Sequence, residues 1–552
     1  MSDKLLWSLV ILLALFKLSL VGWWPFLSLV HLRHDTQIFI NQAIYLLQGE
    51  WLGPYSEYTL MKGPATSIWI ALMNFLGIPL LMSHHLLYLG ASILMLLAFR
   101  RLTASNGYLL FVFALIHFNP FTFNYGAIAS AFRGILHQPL VLGLFALSIM
   151  LFVDLVRFRR VNAWLCALFG AMLFLFWINR EEGIWIVPWL AWLVFVMAAR
   201  TWKERSQVVG IRTNNLAAVV FIPLIIWGMG NLAVAWKNYE EYGVFAVVEL
   251  NTPQFKHAFG SLIGIRPERW RPDRAASSDM LDKLYSLPSG SELDLDHKGS
   301  DSRRSIPSLM LPWKFRTAVA NAGYYEEGGQ AVLNFYDRLG EEIEGACDDG
   351  RFECEEPMFG LLPPMHPGYA ERFPSAFRKV LQRALDIEYS MTIHDFHSTG
   401  TPTDHAFVSR LVNAPIRVTE TEGDRALPDF YYRMKKNKTK YSLRILDLYR
   451  MITLPLFWTA VAGLVLAFYS TVKYGRLSNL DTLYAGVAGT ILVQLVLLTV
   501  LKITGYSSSL RLYFIFYPVL YTFIALGLLS IVHNLRLLVP ALDRSDGSSS
   551  VA

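Results

Sequence analysis

The chain has 552 residues, of which 54% are hydrophobic, 14% aromatic and only 17% charged, with a formal net charge of +6. Soluble globular chains carry about 25% charged residues, so a small soluble enzyme and a disordered chain are both excluded. Ten bilayer spans of about twenty residues would use roughly 200 positions, which also excludes a bundle made of spanning helices alone. The 49 Lys+Arg do not point to nucleic acid, because loop cations orient membrane proteins, and three cysteines are too few for a disulfide scaffold.

Apolar runs of spanning length fall at about 5–24, 85–99, 107–119, 135–153, 162–178, 184–199, 214–235, 448–469, 482–503 and 511–533. The first is long, ends in Trp23-Trp24-Pro25 and lacks a small-residue cleavage site, so it reads as a retained anchor with an aromatic belt. Between the first two runs lies a loop, 25–84, with two amphipathic stretches. Ile40, Ala43, Ile44 and Leu47 mark one at about 36–48. Ile68, Ala71, Leu72, Phe75 and Leu76 mark another, opened by Pro64 and stopped by Gly77 and Pro79. Both predict helices lying on the membrane interface rather than crossing it.

The next polar stretch, 237–447, holds about 210 residues, enough for one domain. It combines helix-period segments (Val332, Phe335, Tyr336, Leu339, Ile343; Phe377, Val380, Leu381, Ala384) with a strand-like run, Val244–Leu250. A Ser/Asp/Pro-rich stretch at about 272–308 predicts a long loop. The expected architecture is a polytopic α-helical membrane protein of about ten spans. Residues 1–236 and 448–534 are membrane-embedded, 237–447 form an inserted, mixed but mainly helical soluble domain, and 535–552 form a tail.

Lys4, Arg100-Arg101, Arg157/Arg159/Arg160, Arg200/Lys203/Arg205/Arg212, Lys473/Arg476 and Arg536/Arg544 occupy alternate gaps between runs. By the positive-inside tendency those gaps and both termini are cytoplasmic, and the soluble domain is on the outer side. There Cys347 and Cys354 can close a disulfide, the alternative being two free thiols. Cys166 lies in a span.

On this topology a set of polar residues gathers at the outer face: Asp35 after the first span, Lys62, Arg133 and His137 at the start of the fourth span, Asn179-Arg180-Glu181-Glu182-Gly183 between the fifth and sixth, and Arg511 at the start of the last. Cations there run against the positive-inside tendency and require an anion or a structural reason. Plainer readings exist: Asp35 as a helix cap, Lys62 and Arg511 as snorkelling anchors, and Glu181 and Glu182 as partners of Arg180. His394-Asp395-x-His397 with Asp404-His405 fits no strong metal-ligand spacing. Lys17 is a cation in mid-span.

The run His34-Asp35 … Ala43-Ile44-Tyr45-Leu46-Leu47-Gln48-Gly49-Glu50-Trp51 … Tyr55 … Lys62-Gly63-Pro64 resembles the first periplasmic loop of GT-C fold glycosyltransferases. The similarity is to family 39-like, polyprenyl-phosphate-dependent enzymes, including protein mannosyltransferases and lipid A aminoarabinose transferases. Arg511-Leu512-Tyr513 … Tyr517-Pro518 is similar to an Arg-Tyr … Tyr-Pro pattern near their last spans. The resemblance covers roughly the first 200 residues and the last span. It implies an inverting transferase in a bacterial cytoplasmic membrane, taking a polyprenyl-phosphate sugar donor and a lipid, glycan or protein acceptor, with the insert periplasmic.

Asp35 would then be the general base. Lys62, Arg133, Arg180 and Arg511 would meet the departing phosphate, and His34, Tyr55 and His137 would line the donor or acceptor pocket. The sequence departs from the family in two ways. Asn119–His137 contains no second acid, so Glu181 or Glu182 is the substitute considered, with a divalent ion held by Asp35 and a Glu left open. The soluble insert also interrupts the chain between the seventh span and the C-terminal spans, which allows an acceptor unlike the family's known ones; within the resemblance itself, Lys-Gly-Pro stands in for Lys-Pro-Pro. The competing readings are a transporter or flippase for a lipid-linked glycan and a non-catalytic envelope assembly or binding protein.

Overall fold

A computed structural model describes residues 1–29, 36–180, 183–203, 213–295, 305–358, 361–387, 397–418, 429–475, 477–506, 513 and 515–538. The N-terminal part runs through α1 (Asp3–Val21), α2 (Thr36–Leu47), α3 (Ala65–Phe75), α4 (Leu80–Arg100), α5 (Asn106–His117), the single turn α6 (Tyr125–Ile128), α7 (Gly134–Val156), α8 (Ala163–Asn179), α9 (Val187–Lys203) and α10 (Thr213–Tyr242). The insert contributes α11 (Pro253–Gly264), β1 (Arg274–Ala276), α12 (Ser278–Tyr285), α13 (Pro288–Ser291), β2 (Ile306–Pro307), α14 (Leu311–Asn321), α15 (Tyr324–Glu327), α16 (Gly329–Asp348), α17 (Pro367–Leu385) and α18 (Pro402–Val412). The chain closes with α19 (Asp429–Tyr474), α20 (Asn479–Ile503) and α21 (Phe516–Leu538).

The molecule is a polytopic helical membrane protein. Among the described residues eight helices are long and apolar enough to cross a bilayer. Local signals place the ends of the apolar helices. Ser105 and Asn162 cap α5 and α8 by accepting from backbone amides of the first turn, and Ser478 does the same for α20. Two of the ten expected spans fall short: α5 has 12 residues and α8 has 17. At 1.5 Å per residue α5 reaches about 18 Å, and the chain after it turns through Pro120–Phe123 and α6 instead of continuing upward. Helix α3, with 11 residues, is too short to cross, as the amphipathic pattern predicts.

The membrane helices share one large apolar core centred on α7, every residue of which is buried. One end of the bundle is closed by Arg101 on Asp154 (2.9 Å), by Arg100 on Asp3, and by Asn106 on Asp3 (2.8 Å). Those residues are the starts of α1 and α5 and the ends of α4 and α7. Lys17 does not snorkel. It is fully buried, donates to the carbonyl of His117 and lies 4.8 Å from the centre of the Tyr88 ring.

The insert has its own core, built on α11, α14 and α16, and Leu52 and Leu60 of the first loop enter it. Its one described sheet is the short antiparallel pair β1–β2, so the stretch expected as a long loop is partly ordered around β1, α12 and α13. Val244–Leu250 is not a strand. Asn238 turns back to donate to the carbonyls of Ala246 (2.7 Å) and Val247, and residues 249–251 close a short 3-10 turn. Cys347 and Cys354 form a disulfide, with Cα atoms 5.8 Å apart, beside the bridge between Ile265 and Cys354. Helix α17 packs on α20, and its Val380 and Ala384 belong to the membrane core. Helix α19 starts 19 residues before the expected span, carrying a helical extension that the apolar run does not reveal.

A third small core joins α2 and α3 to α18. Beside it the chain leaving α1 is held by the backbone of the insert: Phe26 N–H donates to Pro415 O (2.7 Å), Arg417 N–H to Phe26 O (2.8 Å) and Thr399 N–H to Ser28 O (2.8 Å).

Candidate functional site: a buried cationic cluster beside an apolar groove

At the opposite end of the bundle from the Arg101–Asp154 pair, the turn Lys62-Gly63-Pro64 lies against the end of α8. A Cβ at Gly63 would stand 2.0 Å from the carbonyl oxygen of Ile178, an impossible contact with backbone. Gly63 is therefore required by close approach rather than by its dihedral freedom, and a proline there would collide. Thr66, in the first turn of α3, donates to Asn179 Oδ1 (2.8 Å), while Asn179 Nδ2 donates to the carbonyl of Arg133 (3.2 Å). Asn179 thus ties together the loop carrying Lys62, the residue before α7 and its own neighbour Arg180.

The three cations so assembled are nearly withdrawn from solvent: Lys62 is 5% exposed, Arg133 6% and Arg180 2%. Asn179 bridges the N-termini of α3 and α7 through Thr66 and the carbonyl of Arg133, and neither N-terminus is capped by a side chain. Helix N-termini direct amide donors and positive potential at an anion. Buried cations and helix N-termini together are suited to holding phosphate. The Lys62 ammonium is also flanked by aromatic faces, 5.5 Å from the Phe39 ring and 5.3 Å from that of Trp313.

An apolar groove of about 400 Å³ is lined by Trp69 and Met73 of α3, Leu87, Gly90 and Leu94 of α4, and Pro139 of α7, among others. Trp69 is about one helical turn from Thr66, and Pro139 is about two turns from Arg133 and two residues beyond His137. His137 itself is buried and stacks on Phe176 at 4.9 Å.

Of the other residues singled out in the sequence, His34, Asp35, Glu181, Glu182 and Arg511 lie outside the described residues, as do His394 and Asp395. Tyr55 sits in a different cluster, where its hydroxyl donates to Glu249 Oε2 (2.7 Å) and its ring stacks on Tyr242. Glu249 and Arg316 form an ion pair (2.8 Å) in which both side chains are fully buried, and Tyr325 and Tyr336 also donate to Glu249 Oε1 (2.8 and 2.9 Å). Burial first, and then the neighbouring Glu249 carboxylate, hold the Tyr55 and Tyr336 phenols well above the usual tyrosine range; Tyr325 is raised in the same sense, chiefly by burial.

Among the described residues no group of three His, Cys, Asp or Glu is arranged to hold a metal ion. Asp404 is occupied instead in a capping box with Thr401 at the start of α18.

Phe39, Trp313, Glu249 and Arg316 escape the sequence reading, as does the bridging role of Asn179. The available signals were faint: a carboxylate closing an apolar run at Val244–Glu249, and Trp313 and Arg316 spaced three apart on one helix.

No protein-family model and no curated protein sequence matches the chain. In fold it is similar to the archaeal oligosaccharyltransferase AglB from Archaeoglobus fulgidus. Against its complex with an inhibitory peptide and a dolichol-phosphate the identity is 12% and the TM-score 0.43, over 99% of this chain and 52% of that one. Against the apo form the values are 13% and 0.44, over 100% and 53%. Against the form tethered to an acceptor peptide with the NVT sequon they are 11% and 0.41, over 99% and 52%. The chain spans about half the length of these structures.

Proposed function

We propose that this protein is an integral membrane glycosyltransferase, moving a sugar from a polyprenyl-phosphate donor to an acceptor at the outer face of the membrane. The observation that carries the reading is that buried Lys62, Arg133 and Arg180 lie on segments joined at Gly63 and Asn179, with two uncapped helix N-termini there and an apolar groove within about two helical turns. A donor with a phosphate head and a hydrocarbon tail needs those two environments side by side. The cations hold the phosphate and the groove takes the first prenyl units.

In the transfer, the acceptor hydroxyl or amine attacks the anomeric carbon from the face opposite the phosphate. The bond from that carbon to the phosphate oxygen breaks, and its electron pair stays on the phosphate, giving inversion. Negative charge grows on that oxygen, where cations fixed before the reaction lower the barrier most. Asp35 takes the acceptor's proton. Its assignment is supported by its place just before α2, whose Phe39 touches Lys62, and by its match to the acid of the resembling family. Arg511 would add a cation from the last loop, and Glu181 or Glu182 a second acid.

The donor sugar, a bacterial inner-membrane location, cytoplasmic termini and a periplasmic insert belong to the same proposal. The test is comparative mass spectrometry of surface glycans and glycolipids in cells carrying wild type or Asp35→Asn. Loss of one sugar modification at normal expression is expected. A wild-type profile would refute the base assignment. In parallel, Lys62→Ala should weaken binding of undecaprenyl phosphate by protein in nanodiscs, and unchanged affinity would refute the donor site.

A further inference from the structure

The Lys62 loop is not held by the membrane helices alone. Two residues before Lys62, Leu60 has φ 56°, the left-handed region, although it is not glycine and its side chain is buried in the core of the insert. Such a conformation persists only where its surroundings over-determine it. Here they do. Arg316 Nη2 donates to Thr59 O (2.8 Å) and the Glu249 amide donates to Leu60 O (2.8 Å), so both carbonyls flanking the strained residue are bound by the insert. Arg316 is itself fixed by two bonds to Glu249, Nε to Oε1 at 3.0 Å and Nη2 to Oε2 at 2.8 Å. Three residues earlier on α14, and so on the same face, Trp313 presents its ring to the Lys62 ammonium.

From this we infer that the inserted domain completes the donor site. Trp313 is a positioning residue for the Lys62 ammonium, and the Arg316–Glu249 pair is the strut that keeps Trp313 and the Lys62 turn in register. A lysine side chain is a flexible stem, and its charge acts on a departing phosphate only if it is already in place. Two aromatic faces, Phe39 from the first loop and Trp313 from the insert, attract the ammonium through their ring quadrupoles and restrict where it can go. The inference rests on the reading of Lys62 as a donor-phosphate ligand.

The test uses full-length protein in nanodiscs with undecaprenyl phosphate as probe, comparing wild type, Trp313→Leu, Trp313→Phe, Lys62→Ala and the Trp313→Leu/Lys62→Ala double variant. Trp313→Leu should weaken binding by about two- to thirtyfold, the range set by one cation–π contact, and Trp313→Phe should recover most of it. In the Lys62→Ala background Trp313→Leu should add nothing, because its partner is gone. An equal loss in both backgrounds would make Trp313 merely structural and overturn the inference. So would full affinity in Trp313→Leu alongside a weakened Lys62→Ala, which leaves the donor-site reading standing. If Lys62→Ala binds as wild type does, the donor-site reading falls and this inference falls with it.

Discussion

Removing one member of the Arg316–Glu249 pair should be asymmetric. Both side chains are fully buried, and breaking a buried ion pair from one side costs about 3–5 kcal/mol because the other charge is left without its partner. The two survivors are not equally stranded. After Arg316→Met, the Glu249 carboxylate still accepts from the hydroxyls of Tyr55, Tyr325 and Tyr336 at 2.7–2.9 Å, which puts the loss near 3 kcal/mol. After Glu249→Leu, the Arg316 guanidinium keeps only Thr59 O and the Tyr325 oxygen as acceptors. A guanidinium cannot escape by losing its proton, so the loss should approach 5 kcal/mol. The double variant, Arg316→Met with Glu249→Leu, removes both charges and should lose less than either single variant. Urea unfolding of the full-length protein in nanodiscs, followed by tryptophan fluorescence and by hydrogen exchange in α14 and α16, would rank the three. A double variant worse than both singles, or Arg316→Met costing more than Glu249→Leu, would refute the reasoning.

Gly90→Leu offers a test of the groove, since a Cβ at Gly90 meets nothing within 4 Å and the residue lines the cavity. The protein should fold normally, while displacement of two tail methylenes, at about 0.8 kcal/mol each, should lower affinity for undecaprenyl phosphate roughly tenfold. Gly63→Ala meets the Ile178 carbonyl, and forcing the turn away from α8 should cost about 1–3 kcal/mol and weaken phosphate binding; an unaltered thermal midpoint and affinity would contradict the close approach. At high pH the raised phenols of Tyr55, Tyr325 and Tyr336 should act together. The unfolded chain releases their protons near pH ~10 while the folded protein retains them, so stability falls as pH rises, by about 1.4 kcal/mol per unit for each tyrosine. Replacing one with phenylalanine should reduce that slope by a third in alkaline unfolding titrations. Cys347→Ser should cost about 2 kcal/mol, a short closed loop giving a small entropic gain, and an unchanged urea midpoint would show that the loop is fixed by its backbone bridges alone.

Much of the architecture is legible in the sequence because spanning a bilayer demands long uninterrupted apolar runs. Each of the ten runs contains a helix, and the stripe of Ile68, Ala71, Leu72 and Phe75 marks α3, a helix too short to cross. The misses have local causes. The apolar run at 107–119 contains too short a helix, because Asn119-Pro120 ends it: Asn119 caps the next turn through the Phe121 amide. Val244–Leu250 has the composition of a strand but no neighbouring strand, and the Asn238 side chain supplies partners for its carbonyls instead.

The site divides the same way. Its candidate cations were visible one by one, since a Lys or Arg isolated between apolar runs stands out from the alternate gaps that carry several. Which of them meet was not visible. The segments carrying Lys62, Arg133 and Arg180 are drawn together by Gly63 against Ile178 and by the side chain of Asn179, and Trp313 reaches Lys62 from 251 positions further along the chain. The sequence by itself determined the membrane helices and the short length of α3, because periodicity and apolar length are local properties that water and lipid read directly. Only the tertiary structure decided that the insert reaches into the cationic cluster, because contacts between distant segments depend on close packing and leave no period in the chain.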